Sequence, residues 1–251
     1  MSLAIATARG ITVRHHPGIR HGRRGRREGP IASGPYGWAG GPPATGPMAL
    51  MLRPRNRSDG GMFSVRIHGR GGQGVVTAAE LLSIAAHASG RYAQAFPSFG
   101  SERTGAPVVA FCRVDDHAIR LREPVTHPDG LIVQDPTLLG QPDVFAGLAA
   151  HAFVLLNSRH DPGQLALPSQ IDPARLAVLP ATQLALAHLG RPVPNIALLG
   201  GFAALTGLVP IGAVLDAIRG RFDGRVATGN LAAAQAAYDL VLSQRSELNH
   251  A

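Results

Sequence analysis

The sequence contains no lysine, so arginine supplies all 24 of its strongly basic side chains. A Walker A loop needs a lysine that reaches the nucleotide phosphates, and this kind of phosphate site is therefore excluded. Enzymes that form a Schiff base through a lysine amine, including those that use pyridoxal phosphate, are excluded for the same reason.

Cysteine is nearly as scarce, because Cys112 is the only one in 251 residues. One thiol cannot form a disulfide within the chain, and alone it cannot build an iron–sulfur cluster or a cysteine-based zinc site. A lack of disulfides is typical of proteins in reducing compartments, and we expect a cytoplasmic location.

Residues 1–61 differ in composition from the rest of the chain. They contain ten arginines against Glu28 and Asp59, a net charge of +8, whereas residues 62–251 contain fourteen arginines against fourteen carboxylates. The same segment holds 12 glycines and 7 prolines, and it has no apolar periodicity after Val13. Such a composition cannot bury enough surface to offset chain entropy, so we predict a disordered Arg/Gly/Pro-rich extension.

Two interpretations of this extension stay open. It can be a basic arm that binds nucleic acid or an acidic partner. Alternatively, it is an upstream start that the cell does not translate, because Met62 stands directly before the first predicted strand. The second interpretation is the stronger one, and we expect no nucleic-acid partner.

The segment Phe63–Ala79, FSVRIHGRGGQGVVTAA, joins a strand, a glycine-rich turn and a helix. Apolar and polar residues alternate over Phe63–His68, as in a strand, and an apolar helical pattern begins at Val75. The turn between them consists of Gly69, Arg70, Gly71, Gly72, Gln73 and Gly74. Free N–H groups at a helix N-terminus attract anions, and glycine lets a phosphate lie against the backbone, so the turn is a candidate anion site.

The glycine spacing also matches the G-x-G-x-x-G fingerprint of dinucleotide-binding proteins. That fingerprint requires a carboxylate about 20 residues further on to bind the ribose. The corresponding region, Arg91–Phe99, contains no Asp or Glu, and the nearest carboxylate, Glu102, lies in a loop. An NAD site, a purely structural turn and a site for another phosphate-bearing ligand all stay open, and the missing carboxylate favours the last.

Strand and helix patterns alternate along the chain, which predicts an α/β fold. We expect a mostly parallel Rossmann-like sheet flanked by helices, in a single domain that spans residues 62–244. Further strands are predicted at Arg91–Ala95, Pro107–Val114, Gly130–Gln134, Ala152–Asn157 and Leu176–Leu179, and helices at Pro142–Ala150, Ala181–Leu189 and Asn230–Gln244. Ligands bind at the carboxyl ends of parallel strands, where the glycine turn, Asp135 and Asn157 fall.

The apolar run Ile196–Leu215 is long enough to cross a bilayer. Gly207 and Pro210 interrupt it, and they predict one helix capped by Asn195 and a second helix that begins after Pro210. Two buried helices explain the run better than a membrane span, so we expect no membrane association.

The loop Pro97–Ala106 carries Ser101, Arg103 and Thr104 between two apolar strands. A guanidinium beside hydroxyl groups suits the recognition of phosphate or carboxylate. Alternatively, Glu102 and Arg103 form an ordinary solvated pair, and the chemistry of the residues favours neither interpretation.

Four stretches follow one another in an order that resembles a known family. They are RIHGRGGQGVVTAAELL (Arg66–Leu82), YAQAFPSFGSERTGAPVVAFCRVDD (Tyr92–Asp116), IVQDPTLL (Ile132–Leu139) and RPVPNIALLGGFAALTGLV (Arg191–Val209). Together they resemble the gamma subunit of the pyruvate and related 2-oxoacid:ferredoxin (acceptor) oxidoreductases, over about residues 62–238. Many members of this family carry an arginine at the position of Thr104, a difference that weakens the anion site expected in that loop.

The resemblance implies a hetero-oligomeric enzyme that oxidatively decarboxylates a 2-oxoacid with thiamine diphosphate. Electrons would pass through iron–sulfur clusters to ferredoxin or a similar acceptor, and acyl-CoA would be released. The chain has no GDG…NN thiamine diphosphate motif, and its one cysteine cannot bind a cluster. These cofactors would therefore lie on partner subunits of alpha, beta and delta type.

In this interpretation the chain carries no catalytic residue and no metal, and it contributes assembly surface and part of the coenzyme A site. The residues that the resemblance assigns to that site are Gly69, Gly71, Gly72, Gln73, Gly74, Ser101, Arg103 and Thr104. The alternative is a stand-alone dinucleotide-binding oxidoreductase domain.

The interpretation of residues 1–61 can be tested by deletion. A chain that begins at Met62 should assemble with its partners and support the same activity as the full-length chain, because all the motifs lie after that residue. Coexpression and size-exclusion chromatography measure assembly. A truncated chain that no longer assembles would show that the extension is functional.

Overall fold

The computed structural model describes residues 61–98 and 105–250. The extension predicted to be disordered therefore lies outside the described residues, apart from Gly61, and so do Ser101, Arg103 and Thr104 of the predicted site. What the sequence indicates about these residues stays a prediction.

The described residues form one sheet of six strands in the order β2-β3-β1-β4-β5-β6. The strands are β1 (Phe63–Arg70), β2 (Tyr92–Pro97), β3 (Pro107–Asp115), β4 (Gly130–Val133), β5 (Phe153–Asn157) and β6 (Leu176–Leu179). Strands β1, β4, β5 and β6 pair in parallel, whereas β3 pairs antiparallel with both β1 and β2. The predicted α/β fold with a mostly parallel sheet is confirmed.

Six helices accompany the sheet in the described part of the chain. They are α1 (Val75–Ala88), α2 (Pro142–Phe145), α3 (Ala181–Leu189), α4 (Asn195–Thr206), α5 (Ile211–Arg221) and α6 (Gly224–His250). The larger apolar cluster joins all of them except α2 to one face of the sheet, with Val65 and Ile67 of β1 at its centre. A smaller cluster on the other face includes Leu131 and Val133 of β4 together with Val144 of α2. Helices thus cover mainly one face.

The apolar run after Asn195 becomes two helices, as predicted. Every residue of α4 is buried, which is the environment that a helix with apolar side chains all round requires. Gly207 follows α4 with φ of +62°, and Pro210 precedes α5. Among the helices in the described part of the chain, none combines the length and hydropathy needed to span a bilayer.

The prediction of a helix over Pro142–Ala150 is wrong at its C-terminal end, because α2 stops at Phe145. Gly147 then adopts φ of +69°, and a Cβ at this position would overlap the carbonyl group of Thr126. This close approach of two loops turns the chain away from the helical path.

The last helix is longer than predicted, since α6 covers Gly224–His250 rather than Asn230–Gln244. Polar side chains near its C-terminus contact β6 and α4, and the apolar pattern used for the prediction does not record such contacts. Gln244 donates to the carbonyl of Val178 in β6 at 3.0 Å, and Arg245 donates to the carbonyl of Leu205 in α4 at 2.6 Å.

Several arginine side chains hold loops in place by donating to backbone carbonyl oxygens. Arg66 of β1 donates to Val144 at 2.9 Å and to Ala146 at 2.7 Å. Other examples are Arg113 to Glu123 at 2.6 Å and Arg175 to His151 at 2.8 Å. Since a guanidinium presents five donors in a fixed fork, one side chain can bind two carbonyl groups at once.

The packing of α4 against α6 can be tested at Gly200. A Cβ added there would overlap the backbone carbonyl of Ala234 in α6, so Gly200→Ala should force the two helices apart. We expect a loss of about 1–3 kcal/mol in the free energy of unfolding, measured by urea denaturation of the isolated chain. Gly212→Ala is the matched control, because a Cβ on this glycine of α5 meets nothing within 4 Å. Equal effects of the two substitutions would contradict the packing argument.

Candidate functional site

The glycine turn continues the pairing of β1 with β3 beyond the end of the strands. The Gly71 N–H donates to the Ala106 carbonyl at 2.9 Å, and the Gly105 N–H donates to the Gly71 carbonyl at 3.2 Å. Gly72 and Gly74 adopt φ of +94° and +71°, which side chains with a Cβ rarely adopt. The positive φ values let the chain reverse from β1 into α1 within four residues of the strand end.

A side-chain network ties this turn to the end of β4. Gln73 accepts from the Arg70 N–H at 2.8 Å and donates from Nε2 to Oδ2 of Asp135 at 2.9 Å. Arg70 Nε lies 3.2 Å from the same carboxylate oxygen. These contacts tie the turn to Asp135 at the end of β4.

Asp135 is ionised at neutral pH. Burial acts to raise its pKa, but hydrogen bonds from the hydroxyl and N–H of Thr137 and from Gln73, together with the Arg70 charge, outweigh burial and lower the pKa. The two Thr137 hydrogen bonds to Oδ1 measure 2.6 and 3.0 Å. The carboxylate is thus already occupied by donors from both strand ends, and it is not a free acceptor for a ribose hydroxyl.

Arg70 is the site residue that sequence reasoning missed. Its Nη1 donates to the Gly105 carbonyl at 3.1 Å and its Nη2 donates to Oγ1 of Thr137 at 2.7 Å. The side chain is about one-third exposed, and its contacts connect β1 with Gly105 and with the segment after β4. The only signal in the sequence for a role of Arg70 in the site was its position between Gly69 and Gly71.

Three helices begin at this edge of the sheet. The helix α1 starts after Gly74, and Thr182 at the start of α3 donates its N–H to Oδ1 of Asn157 at 3.1 Å. Asn195 joins α4 to the turn, because its Nδ2 donates to the Gly74 carbonyl at 3.1 Å. The prediction that Asn195 is the N-cap of α4 is wrong, since it is the first helical residue and Pro194 precedes it.

The predicted residues of the glycine turn have different roles in the structure. Gly69 is required for packing, because a Cβ there would lie 2.6 Å from Cγ2 of Val75. Gly72 faces open space, since a Cβ on it would meet nothing within 4 Å. The N–H groups of Gly71 and Gln73 are not free, because they bind the carbonyls of Ala106 and Arg70. The N–H groups available to an anion are those of the first turn of α1.

The strand order disfavours an NAD site. In a dinucleotide-binding unit the strand that follows the first helix lies beside the first strand, and its end supplies the ribose carboxylate. Here β3 separates β2 from β1, and β2 ends at Pro97 followed by Ser98. Neither the neighbouring strand nor a carboxylate is in the required place.

The polar residues of β1 lie on its second face and are buried. Ser64, Arg66 and His68 are only 6–7% exposed. Burial, with a smaller effect of the Arg66 charge, lowers the pKa of His68 to about 4. His68 is therefore neutral at pH 7, and its Nε2 is enclosed without a hydrogen-bond partner among the described residues.

These observations define an α/β domain in which a glycine-rich turn joins the central strand β1 to the N-terminus of α1. The one thiol, Cys112, is fully buried, and burial raises its pKa to about 12, so it is not a nucleophile. Within residues 61–98 and 105–250, no group of three or more His, Cys, Asp and Glu side chains is placed to hold a metal ion. The profile of the pyruvate ferredoxin/flavodoxin oxidoreductase family matches residues 64–240, and the chain belongs to this family.

Individual relatives agree with the resemblance found in the sequence. The gamma subunit common to the pyruvate and ketoisovalerate oxidoreductases of Pyrococcus furiosus is 45% identical over 178 residues, which are 71% of this chain and 96% of that protein. The crystal structure of the pyruvate oxidoreductase subunit PORC from Thermotoga maritima has a TM-score of 0.63 at 35% identity and covers 71% of this chain and 96% of its own.

A more distant solved structure shares the fold. The 2-oxoglutarate:ferredoxin oxidoreductase from Magnetococcus marinus, with 2-oxoglutarate, coenzyme A and succinyl-CoA bound, has a TM-score of 0.58 at 16% identity. The match covers 76% of this chain but 32% of that longer one. The same fold therefore also occurs as part of a larger polypeptide.

The burial of neutral His68 should make stability depend on pH. Its pKa is about 4 in the folded chain and about 6.5 when unfolded, so the unfolded state binds more protons between these values. Stability is therefore complete above pH 6.5 and decreases as the pH falls through 4, by about 3 kcal/mol if the whole shift contributes.

Urea denaturation at several pH values measures this effect. His68→Leu should lose less stability than the unchanged chain between pH 6.5 and 4. His117→Leu is the control, because its side chain is 83% exposed, and this variant should follow the unchanged chain. Identical pH profiles for all three proteins would contradict the assignment to His68.

Proposed function

We propose that this chain is the gamma subunit of a multi-subunit 2-oxoacid:acceptor oxidoreductase. The enzyme converts pyruvate or a related 2-oxoacid to acyl-CoA and passes the electrons to ferredoxin or a similar acceptor. The observation that carries the proposal is the match to a gamma subunit over 96% of that protein's length at 45% identity. The family profile over residues 64–240 supports the same assignment.

The composition of this chain supports a division of the reaction chemistry between several subunits. Decarboxylation with thiamine diphosphate and electron transfer through iron–sulfur clusters take place on partners of alpha, beta and delta type. This chain has one buried cysteine and no lysine, so it supplies neither cluster ligands nor a covalent amine site. Its own contribution is an assembly surface and a part of the coenzyme A site.

The glycine turn is the part of this chain that binds a phosphate group of coenzyme A. The helix α1 is 14 residues long and points its N-terminus at the turn, which favours negative charge there. Gly72 leaves the approach to the backbone open, because no atom lies within 4 Å of the position of a Cβ. The coenzyme A bound in the Magnetococcus marinus structure supports this choice of phosphate ligand.

Arginines beside the turn can add donors to the phosphate site. Arg70 contributes a partly exposed guanidinium, whose charge is paired with the carboxylate of Asp135. The predicted residues Ser101, Arg103 and Thr104 directly precede Gly105, whose N–H donates to the Gly71 carbonyl of the turn. Arg103 can therefore add a charge-assisted pair.

Substitutions in the assembled enzyme test the phosphate site. Gly72→Val should raise the apparent KM for coenzyme A about tenfold or more and leave the KM for the 2-oxoacid unchanged, because a side chain would stand where the phosphate lies. Gly90→Val is the matched control, since Gly90 also has positive φ and open space but lies at the other end of α1. If Gly90→Val leaves the KM for coenzyme A unchanged, the effect of Gly72→Val comes from loss of the phosphate site and not from backbone strain.

Arg103→Ala should have the same selective effect, a tenfold to hundredfold weaker apparent affinity for coenzyme A, if a charge-assisted hydrogen bond of about 1.5–3 kcal/mol is lost. Arg225→Ala on the first turn of α6 is the control, because this arginine is exposed. If neither Gly72→Val nor Arg103→Ala changes the coenzyme A kinetics of a correctly assembled complex, the turn has only a structural role.

A further inference from the structure

A cavity of about 720 Å³ lies along β6, the edge strand of the sheet on the side away from β2. Its size falls in the range of about 300–1,000 Å³ that is typical of binding sites. The buried part of its lining consists of Ser158, Ala177 and Val178, and the C-terminal part of α6 borders it through Gln244 and Leu248. None of the residues assigned above to the phosphate site lines this cavity.

The backbone groups of Leu176 and Val178 point away from β5. The Leu179 carbonyl faces β5, since it accepts from the Ser158 N–H at 3.1 Å. Along a strand, the N–H and C=O groups of successive residues alternate between the two sides. Leu176 and Val178 therefore present theirs on the outer side of β6, where the described part of the chain holds no further strand.

Two of these four outward groups already have partners. The Val178 carbonyl accepts from Nε2 of Gln244 at 3.0 Å, and the Leu176 N–H donates to the Pro173 carbonyl in the preceding turn. The Leu176 carbonyl and the Val178 N–H have no partner among the described residues. Because buried backbone groups are almost always paired and Val178 is only 8% exposed, the free groups indicate a site for a further chain.

The spacing of the two free groups fits one residue of a parallel strand. In a parallel ladder, a residue donates its N–H to the residue before its opposite neighbour and accepts from the residue after it. A residue opposite Ala177 would therefore bind the Leu176 carbonyl and the Val178 N–H at once. Pairing cannot continue toward the end of β6, because Gln244 occupies the Val178 carbonyl and Pro180 has no N–H. The edge thus accepts the end of a chain rather than a long strand.

Beyond this point the cavity contains donors for a carboxylate. Ser158, Arg159 and His160 follow β5 at the carboxyl edge of the sheet and line the cavity. The Ser158 hydroxyl accepts from the His160 N–H at 3.0 Å, and its own hydrogen has no acceptor among the described residues. Arg159 forms no ion pair in that part of the chain. Asp161 and Glu247 also line the cavity, but both are exposed, whereas Ser158 is buried.

We propose that the carboxyl-terminal tail of a partner subunit docks in this cavity as a short parallel strand on β6, an inference that rests on the proposed function. A parallel tail runs in the direction of β6, so its last residue lies at the carboxyl edge of the sheet. Its terminal carboxylate then meets Ser158 and Arg159, whose charge it complements. Main-chain pairing at a sheet edge and capture of a terminal carboxylate are both established modes of peptide recognition.

Fluorescence anisotropy with the full-length chain tests this docking. The probes are labelled peptides that copy the C-termini of the alpha-, beta- and delta-type partners. One of them should bind as the free acid, and its C-terminal amide should bind about tenfold more weakly, because a charge-assisted hydrogen bond is lost. A peptide that copies the C-terminus of this chain is included. Binding of this peptide alone would make the occupant a second copy and would overturn the proposal.

Matched substitutions separate main-chain pairing from side-chain packing. Val178→Pro removes an outward N–H and no bond to β5, and it should weaken binding of the free acid about tenfold or more. Val178→Ala also shortens the side chain but keeps the N–H, so it should bind like the unchanged chain. Circular dichroism confirms that each variant is folded.

A second site variant keeps the test decisive if Val178→Pro does not fold. Arg159→Gln should weaken binding of the free acid about tenfold and leave binding of the amide unchanged. Arg120→Gln is the control, because this exposed arginine lies outside the cavity. Equal affinities for acid and amide, equal effects of Val178→Pro and Val178→Ala in folded chains, or no binding of any partner peptide would overturn the proposal.

Failure of this inference is distinguishable from failure of the proposed function. If the coexpressed subunits assemble and form acyl-CoA while no partner peptide binds, the proposed function stands and the docking site is wrong. If the chain neither assembles with these partners nor supports the formation of acyl-CoA, the proposed function is wrong, and the docking of a partner tail is wrong with it.

Discussion

The position of β1 in the middle of the sheet is the constraint on which the site depends. It pairs antiparallel with β3 on one side and parallel with β4 on the other. Both ladders end where the glycine turn begins, so the turn receives contacts from Ala106 after one neighbour and from Asp135 after the other. The conformation of the turn is therefore fixed by two strands at once, and the start of α1 is fixed with it.

Much of the fold follows from local patterns in the sequence. Strand β6 and helix α3 have the predicted bounds, because their apolar patterns are bordered by prolines and a glycine. The reversed strand β3 could not be foreseen, since alternation gives no strand direction or order. The buried polar face of β1 was hidden for a related reason: Arg66 is compatible with burial only because carbonyls about 80 residues away accept its hydrogen bonds.

The part of the candidate site that is formed by residues close together in the sequence was predictable. The turn was found from its glycines, and Gln73 from its place among them. The roles of Arg70 and Asn195 depend on partners 67 and 121 residues away in the sequence, Thr137 and Gly74, and no local pattern records such a pair. The polar second face is likewise made by segments that are distant in the chain, since Arg66 of β1 meets Val144 and Ala146 there.

The arginines that donate to loop carbonyls also make the loops dependent on the sheet. Arg66 and Arg113 belong to β1 and β3, whereas their acceptors lie in the segments 121–125 and 144–146. These segments contribute no strand to the sheet, so their placement depends on side chains from two strands that pair with each other. The antiparallel half of the sheet thus positions the loops that complete its second face.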